Sequence, residues 1–140
     1  MSVYVVDASI AAKWFLDETH TTLALRLINE RDRLHAPDFL LLEFDSIIWR
    51  RIVRNELAVV EGHRMRREIR TLPMEIHRFH SLLDLAYDTA VETRQSIYDC
   101  LYLALAISLH GRVVTADRRF WQGIARTPLA PHILWVEQIP

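Results

Sequence analysis

Four acidic side chains, each next to an apolar stretch, occupy positions where an isolated charge is destabilising. They are Asp7, Glu43, Asp99 and Asp117. Carboxylates about 4 Å apart repel each other by about 4 kcal/mol at an effective dielectric of 20. A converging group must therefore be protonated, paired with Arg or neutralised by a cation. Oxygen-only sites suit Mg²⁺ or Mn²⁺, which commonly bridge carboxylates to substrate phosphates. Together with an Arg-rich segment elsewhere in the chain, these residues indicate phosphodiester chemistry.

Each acidic residue also has an ordinary structural interpretation. Asp7 is able to form an Asx turn near Ser9, and Asp117 to cap a helix. Asp99 fits a capping box with Ser96, and Glu43 fits a polar helix stripe with Ser46 and Arg50. Taken alone, each acidic residue is better explained by its structural role. Taken together, the four residues are better explained by a metal-binding site. The hydroxyls of Ser9 and Thr115 would then orient a carboxylate or a water.

The basic residues are biased in kind and in place. All but one of the 17 are Arg, which suits phosphate better than Lys, and Lys13 is the exception. Seven Arg lie between Arg50 and Arg70 against three Glu. The segment is compatible with RNA contacts through Arg64, Arg66 and Arg67. It is equally compatible with a solvated helix face of Glu and Arg pairs, or with a protein contact.

Composition and the absence of certain motifs exclude several classes of protein. The 140 residues are 51% hydrophobic with a formal net charge of -1, which predicts one domain over residues 1–140 and names no partner. Short apolar runs and an N-terminus without a basic region predict a cytoplasmic protein with no membrane segment. Three glycines cannot supply a phosphate-binding glycine loop. Cys100, the only cysteine, is expected in the core. The segment 77–80 (His-Arg-Phe-His) is expected to carry surface or capping histidines rather than metal ligands.

Strands and helices are predicted to alternate along the chain. Short apolar runs predict strands at 3–6, 34–36, 73–76, 112–115 and 133–136. Apolar spacing of three and four predicts helices at 10–16, 21–29, 39–54, 59–70, 82–90, 96–110 and about two turns from 117. This order predicts an α/β fold with a mostly parallel sheet covered on both faces. Asp7 and Asp117 directly follow strands, so both should lie at the carboxyl edge, where such sheets bind ligands.

The sequence resembles the PIN-domain ribonucleases, specifically the VapC-type toxins of toxin–antitoxin pairs. The resemblance spans nearly the whole chain and rests on the order and spacing of five segments. They are Val5-Val6-Asp7-Ala8-Ser9, Lys13-Trp14-Phe15-Leu16, Pro37 to Glu43 with Trp49-Arg50, 98–104 (Tyr-Asp-Cys-Leu-Tyr-Leu-Ala) and 114–120 (Val-Thr-Ala-Asp-Arg-Arg-Phe).

The resemblance implies a three-layer α/β/α PIN-like domain and a Mg²⁺- or Mn²⁺-dependent endoribonuclease. Asp7 and Asp99 would be the main metal ligands, Glu43 and Asp117 would complete the pocket, and a metal-activated water would attack an RNA phosphate. It further implies a structured RNA substrate, a homodimer, and a cognate antitoxin that inserts a basic side chain into the pocket. Ser46 departs from the Asn common at this position in the family, so one supporting hydrogen bond is not expected here.

Two other functions fit some of the residues. A non-catalytic PIN-fold module could hold RNA or protein through its Arg segment, although the intact carboxylates favour an enzyme. A phosphohydrolase or phospho-receiver could use Asp7 as a nucleophile. Either of these activities would require a second acidic residue close to Asp7, and position 9 is Ser.

Overall fold

Five parallel strands form one sheet in the computed structural model, which describes residues 2–140. The sheet order is β3-β2-β1-β4-β5. The strands are β1 (Val3–Val6), β2 (Arg33–Pro37), β3 (Met74–His77), β4 (Arg112–Thr115) and β5 (Ile133–Trp135). All five predicted strands are present. The sheet is entirely parallel rather than mostly so, and Pro37 pairs with His77 as the last residue of β2.

Seven α-helices connect the strands within residues 2–140. They are α1 (Ala8–Lys13), α2 (Thr21–Leu25), α3 (Phe39–Val53), α4 (Val59–Ile69), α5 (Leu83–Thr93), α6 (Ile97–Ser108) and α7 (Arg118–Ala125). Short 3₁₀ turns span Phe79–Leu82, Ala130–His132 and Val136–Gln138. The prediction for α1 was wrong at its start, because Asp7 caps the helix and Ala8 begins it. The prediction for α2 ran too far, because the Asn29 side chain organises a turn by accepting from two following backbone N–H groups.

The helices form two layers around the sheet, giving the predicted α/β/α arrangement. Helices α1 and α3 pack together and α3 packs against α4, while α5 packs against α6, which crosses β1, β2 and β4. The chain leaves β1 towards β2 and later leaves β4 towards β5 in the opposite direction. The direction in which successive strands are added to the sheet therefore reverses between β1 and β4. Ligand sites in open α/β sheets lie at the carboxyl ends of the strands at this kind of reversal.

The most completely buried segments of the core include helix α6 and the central strand β1, which it crosses. Tyr4, Val5 and Val6 of β1 are at most 2% exposed, and the whole run Cys100–Ala106 is buried. The core position expected for Cys100 is therefore observed. Within residues 2–140, no helix is both long and apolar enough to cross a membrane.

Gly111 sets how closely β4 approaches β1. A Cβ placed on Gly111 would lie 2.6 Å from the backbone carbonyl oxygen of Val3 and 2.9 Å from its Cγ1. A Cβ on Gly123 of α7 would also be close to a neighbour, but that neighbour is the side-chain amide of Gln95. A flexible side chain is able to move aside, whereas the backbone of a central strand is not.

We therefore predict opposite outcomes for two glycine substitutions. Gly111→Ala should lower the free energy of unfolding by about 1–3 kcal/mol, because β1 and β4 must separate. Gly123→Ala should leave stability unchanged or raise it by up to about 1 kcal/mol, since Ala is favoured inside a helix. Urea denaturation followed by circular dichroism measures both. Equal losses in the two variants would contradict the close approach at Gly111.

Candidate active site

One cavity at the carboxyl ends of β1 and β4 contains all four acidic residues that the sequence singled out. Its volume is about 180 Å³. The side chains come from four separate parts of the chain, namely the ends of β1 and β4, helix α3 and helix α6. The lining residues are Asp7, Ala8, Ser9, Glu43, Ile47, Asp99, Tyr102 and Asp117.

Asp7 enters the cavity as the residue that joins β1 to α1. It is 5% exposed and caps α1, because its Oδ1 accepts a hydrogen bond from the Ile10 N–H at 3.1 Å. The Ser9 hydroxyl donates to the same oxygen at 2.6 Å. The backbone donor is three residues after Asp7 rather than two, so Asp7 forms a helix N-cap instead of the expected Asx turn, and this cap holds the carboxylate in the pocket. The structural and the chemical interpretations of Asp7 are compatible.

Asp117 is held in the same way after β4. Its Oδ1 accepts from the Phe120 N–H at 3.2 Å, so it caps α7 as predicted, and its own N–H donates to Thr115 Oγ1 at 3.0 Å. Ser9 Oγ accepts from the Ala116 N–H at 3.0 Å while donating to Asp7. Ser9 thus ties together the two strand ends that carry the carboxylates.

Asp99 and Glu43 reach the pocket from helices. Asp99 lies in the first turn of α6, where its N–H donates to the N-cap Ser96 Oγ at 3.1 Å. Glu43 accepts a hydrogen bond at Oε1 from the Tyr102 hydroxyl, with an O···O distance of 2.5 Å. Tyr102 was not proposed as a site residue from the sequence. Its position three residues after Asp99, on the same face of α6, is the signal that identifies it.

Burial and mutual repulsion raise the pKa values of three of the acids. Burial raises the pKa of Asp7 to about 7, and the Asp99 charge adds to this, while hydrogen bonds from Ser9, Thr115 and the Ile10 N–H oppose it. Burial also raises the pKa of Glu43, with Tyr102 lowering it and Asp99 raising it. Burial and the Asp117 charge raise the pKa of Asp99.

The donor set fits a hard divalent cation. Four carboxylates supply only oxygen ligands, and burial, with a smaller contribution from a neighbouring carboxylate, raises the pKa values of Asp7, Glu43 and Asp99. Such a site suits Mg²⁺ or Mn²⁺ rather than an ion that prefers sulfur or nitrogen ligands.

A basic cleft adjoins the acidic cavity and shares Ser9 and Ile47 with it. The cleft has a volume of about 310 Å³, and its other lining residues are Ala12, Lys13, Glu18, Arg50, Arg51, Arg54 and Ala116. Glu18 pairs with Lys13 and Arg51. Arg50 and Arg54 are exposed and form no salt bridge within residues 2–140.

The three arginines proposed from the sequence as RNA contacts lie apart from both cavities, on α4. Arg64 pairs with Glu61 and Glu68 along the helix, which is the solvated face considered as the alternative for this segment. Arg66 forms two 2.8 Å hydrogen bonds with Asp45, so it joins α4 to α3. Arg67 is exposed. The Asp45 carboxylate is thus engaged away from the pocket.

Ser46, the position that departs from the family pattern, is exposed and does not line the acidic cavity. The prediction for His77 as a surface or capping residue was wrong. His77 is partly buried at the end of β3, and its Nε2 lies 2.9 Å from His35 Nδ1. His80 is exposed, as predicted.

Comparison with known proteins identifies the fold and the family. The family model described as PIN domain matches residues 4–123. VapC ribonuclease Mb0985 of Mycobacterium bovis is 30% identical over 126 residues, which cover 89% of this chain and 94% of that protein. Ribonuclease VapC3 of Pyrobaculum aerophilum is 28% identical over 117 residues, which cover 82% and 89%.

Solved structures agree in fold. The crystal structure of PAE2754 from Pyrobaculum aerophilum superposes with a TM-score of 0.71 at 21% identity, covering 97% of this chain and 85% of that one. A toxin-antitoxin complex from Klebsiella pneumoniae contains a chain that superposes with a TM-score of 0.61 at 12% identity, covering 96% of both chains. At these identities the likeness concerns the fold alone.

The raised pKa of Asp7 predicts a pH-dependent gain in stability for Asp7→Asn in the presence of a chelator. The unfolded chain ionises Asp7 near pH 3.8, whereas the folded chain holds its proton to about pH 7. Wild-type stability therefore falls as pH rises between these values. The gain of the variant should grow over this window and level off above it, at a size on the order of 4 kcal/mol.

Chemical denaturation at several pH values, with EDTA throughout, measures this gain. Asp17→Asn serves as the control, since Asp17 is exposed and forms no salt bridge within residues 2–140. It should show no pH-dependent difference from wild type. A constant difference between Asp7→Asn and wild type across the window would contradict the raised pKa.

Proposed function

The chain belongs to the PIN domain family, and from that membership we propose that it is a metal-dependent endoribonuclease, the toxin of a toxin–antitoxin pair. The observation that carries this proposal is the convergence of Asp7, Glu43, Asp99 and Asp117 on one cavity of about 180 Å³. A structural role for each acid alone does not explain why four chain segments bring their carboxylates together. The similarity to two proteins named VapC ribonucleases supports the same activity.

The residues of the acidic pocket have different roles in this proposal. Asp7 and Asp99 are the principal ligands for Mg²⁺ or Mn²⁺, and Glu43 and Asp117 complete the site directly or through water. When bound, the cation balances the carboxylate charge, lowers the pKa of a water and stabilises negative charge on the phosphate. Ser9 and Thr115 fix the orientation of Asp7, and the Tyr102 hydroxyl fixes that of Glu43.

The basic cleft gives the RNA backbone a path to the acidic pocket. Glu43, Ile47, Arg50 and Arg54 are spaced by four, three and four residues, so they follow one face of the α3 region. The Arg50 charge partly opposes the rise in the pKa of Glu43 that burial causes. Arg50 and Arg54 are available to phosphates because neither forms a salt bridge within residues 2–140. Arg64 and Arg66 are already paired, so we propose that the cleft, rather than α4, is the main RNA contact.

Two protein partners are part of the proposal, a cognate antitoxin and a second copy of the chain. The groove between α3 and α4 has a volume of about 280 Å³ and is lined by apolar side chains, including Ile48, Trp49 and Val59. Helix α5 also exposes Tyr87 and Val91. Exposed apolar surfaces of this kind are typical of protein contacts. An antitoxin that places a basic side chain in the acidic pocket would compete with the cation there.

The alternative is a PIN-fold module that binds RNA or protein without cleaving it. The Arg-lined cleft alone would serve such a module equally well. The alternative does not explain the buried Asp7, which destabilises the folded chain at neutral pH unless a cation is bound. The phospho-receiver and phosphohydrolase alternatives lack a second acid beside Asp7, where Ser9 stands.

The proposed ribonuclease activity predicts that RNA cleavage depends on both the metal ion and the carboxylates of the acidic pocket. Purified, antitoxin-free protein should cut total RNA into discrete fragments with Mg²⁺ or Mn²⁺ and not with EDTA. Asp7→Asn, Asp99→Asn and Asp117→Asn should each lower the cleavage rate at least about a hundredfold, because each removes charge that positions the cation. Circular dichroism checks that the variants remain folded.

Asp88→Asn on α5 is the matched control, since Asp88 is an exposed acid outside the cavity. It should cleave like the wild type. Intact RNA with wild-type protein under all metal conditions, together with measurable RNA binding, would favour the non-catalytic module. Expression of the chain alone should also arrest growth, and the three pocket variants should relieve that arrest.

The cleft proposal predicts that two arginine pairs behave differently. In an Asp7→Asn background, where RNA stays intact, Arg50→Gln with Arg54→Gln should weaken RNA binding. It should also reduce the slope of log K against log salt by about 1.4, because two phosphate contacts are lost. Arg64→Gln with Arg67→Gln removes the same charge and should change the slope little. Fluorescence anisotropy over a salt series measures both pairs.

Equal slope changes for the two pairs would mean that α4 contacts RNA as strongly as the cleft does. A slope change seen only in the Arg64 and Arg67 variant would overturn the assignment of the cleft as the main RNA contact. It would instead support RNA binding through α4. Neither outcome affects the assignment of the carboxylates, which the cleavage assay tests separately.

A further inference from the structure

A second cluster of metal-binding side chains lies on the other half of the sheet, outside the acidic cavity. It consists of His35 on β2 with Glu75 and His77 on β3. The strand register accounts for the cluster. His35 pairs with Glu75, and His77 lies two residues further along β3, so the three side chains share one face of the sheet.

The ligand atoms of these residues lie close to one another. One nitrogen of each histidine and the Glu75 carboxylate all lie within 4.8 Å of one another. His35 Nδ1 is 2.9 Å from His77 Nε2 and 3.5 Å from Glu75 Oε2, and His77 Nε2 is 4.0 Å from Glu75 Oε1. The two nitrogen–oxygen distances exceed the usual 2.7–3.2 Å of a hydrogen bond. They suit ligands separated by an ion.

The spacing of the two histidine nitrogens is the clearest indication of an ion-binding site. Two facing imidazole nitrogens require either one proton or one cation between them, because their lone pairs otherwise repel. Nitrogens bound to a tetrahedral zinc ion at about 2.0–2.1 Å lie about 3.3 Å apart. The observed spacing of 2.9 Å therefore needs to open by only about 0.4 Å.

Burial prepares His35 for this role. Its side chain is 9% exposed, so the imidazole is largely shielded from solvent. Glu75 is 68% exposed and lines a cavity of about 280 Å³ that also borders His35. This cavity gives a small ion and a water access to the cluster from solvent.

We propose that His35, Glu75 and His77 bind a zinc-class divalent transition metal, with water as the fourth ligand. Two imidazoles and one carboxylate form a donor set that suits Zn²⁺, whereas the oxygen-only pocket suits Mg²⁺ or Mn²⁺. The chain would thus hold two chemically distinct metal sites. The ion bridges β2 to the edge strand β3, which is otherwise held by strand pairing on one side only.

The test uses the full chain carrying Asp7→Asn and Asp99→Asn, which disables the acidic pocket as a competing site. After chelation and dialysis, calorimetric titration with ZnCl₂ should give one ion per chain, and Zn²⁺ should raise the melting temperature. Adding Glu75→Gln or His77→Asn should weaken binding by more than about tenfold and remove the thermal shift. Because Glu75 is exposed, its variant is expected to fold.

His80→Asn is the matched control, since His80 is exposed three residues beyond His77 and lies outside the cluster. It should bind Zn²⁺ as the parent does. Co²⁺ should give the visible absorption of a four-coordinate site in the parent and in the control, and should lose it in the His77 variant. Zn²⁺ affinity unchanged by Glu75→Gln and His77→Asn would overturn the proposal and leave the cluster as a hydrogen-bonded link between strands. RNA cleavage plays no part in this test, so its outcome is independent of the proposed function.

Discussion

The concentration of negative charge at the carboxyl ends of β1 and β4 is the constraint on which the rest of the structure depends. Burial is the main cause of the raised pKa of Asp7, and the Asp99 charge adds to it. Burial and the Asp117 charge raise the pKa of Asp99 in the same way. The fold tolerates this because the apolar core beneath, from β1 to α6, supplies stability that is independent of the pocket. From the raised pKa of Asp7 we expect the metal-free protein to be less stable at neutral pH, and a bound cation would recover that loss.

The hydrogen bonds that position the acids are the same ones that terminate the secondary structure. Asp7 and Asp117 cap helices that begin directly after neighbouring strands, and Ser9 joins the two strand ends. A capping role and a ligand role therefore do not compete for these residues. The cap fixes the backbone and orients the side chain, so that folding itself builds the pocket. This explains why short-range sequence signals for turns and caps coincided with the positions of the site.

Local patterns were sufficient to predict the strands, most helix ends and the placement of Asp7 and Asp117 at one sheet edge. The pocket that these two acids share with Glu43 and Asp99 was implied by the family resemblance. Local patterns failed where a contact depends on distant residues. The pairing of His77 with His35, which is 42 positions away, follows from strand order and register. The link from Arg66 to Asp45 follows from the packing of α4 on α3. Neither contact leaves a periodic signal in the sequence. Tyr102 is intermediate, since its spacing from Asp99 was visible but its partner Glu43 lies on another helix.

The near-zero net charge conceals a separation of charge that matters more for an RNA ligand than the total. Along α3, Glu43 contributes to the acidic pocket while Arg50 and Arg54 contribute to the basic cleft beside it. On the proposed function, the cleft attracts the RNA backbone, but the ionised pocket repels the phosphate that must be cut. Cation binding removes this repulsion. Because linkage is reciprocal, RNA held in the cleft must also strengthen cation binding by the same factor. The acidic and basic halves of α3 then act as one site, which neither half forms alone.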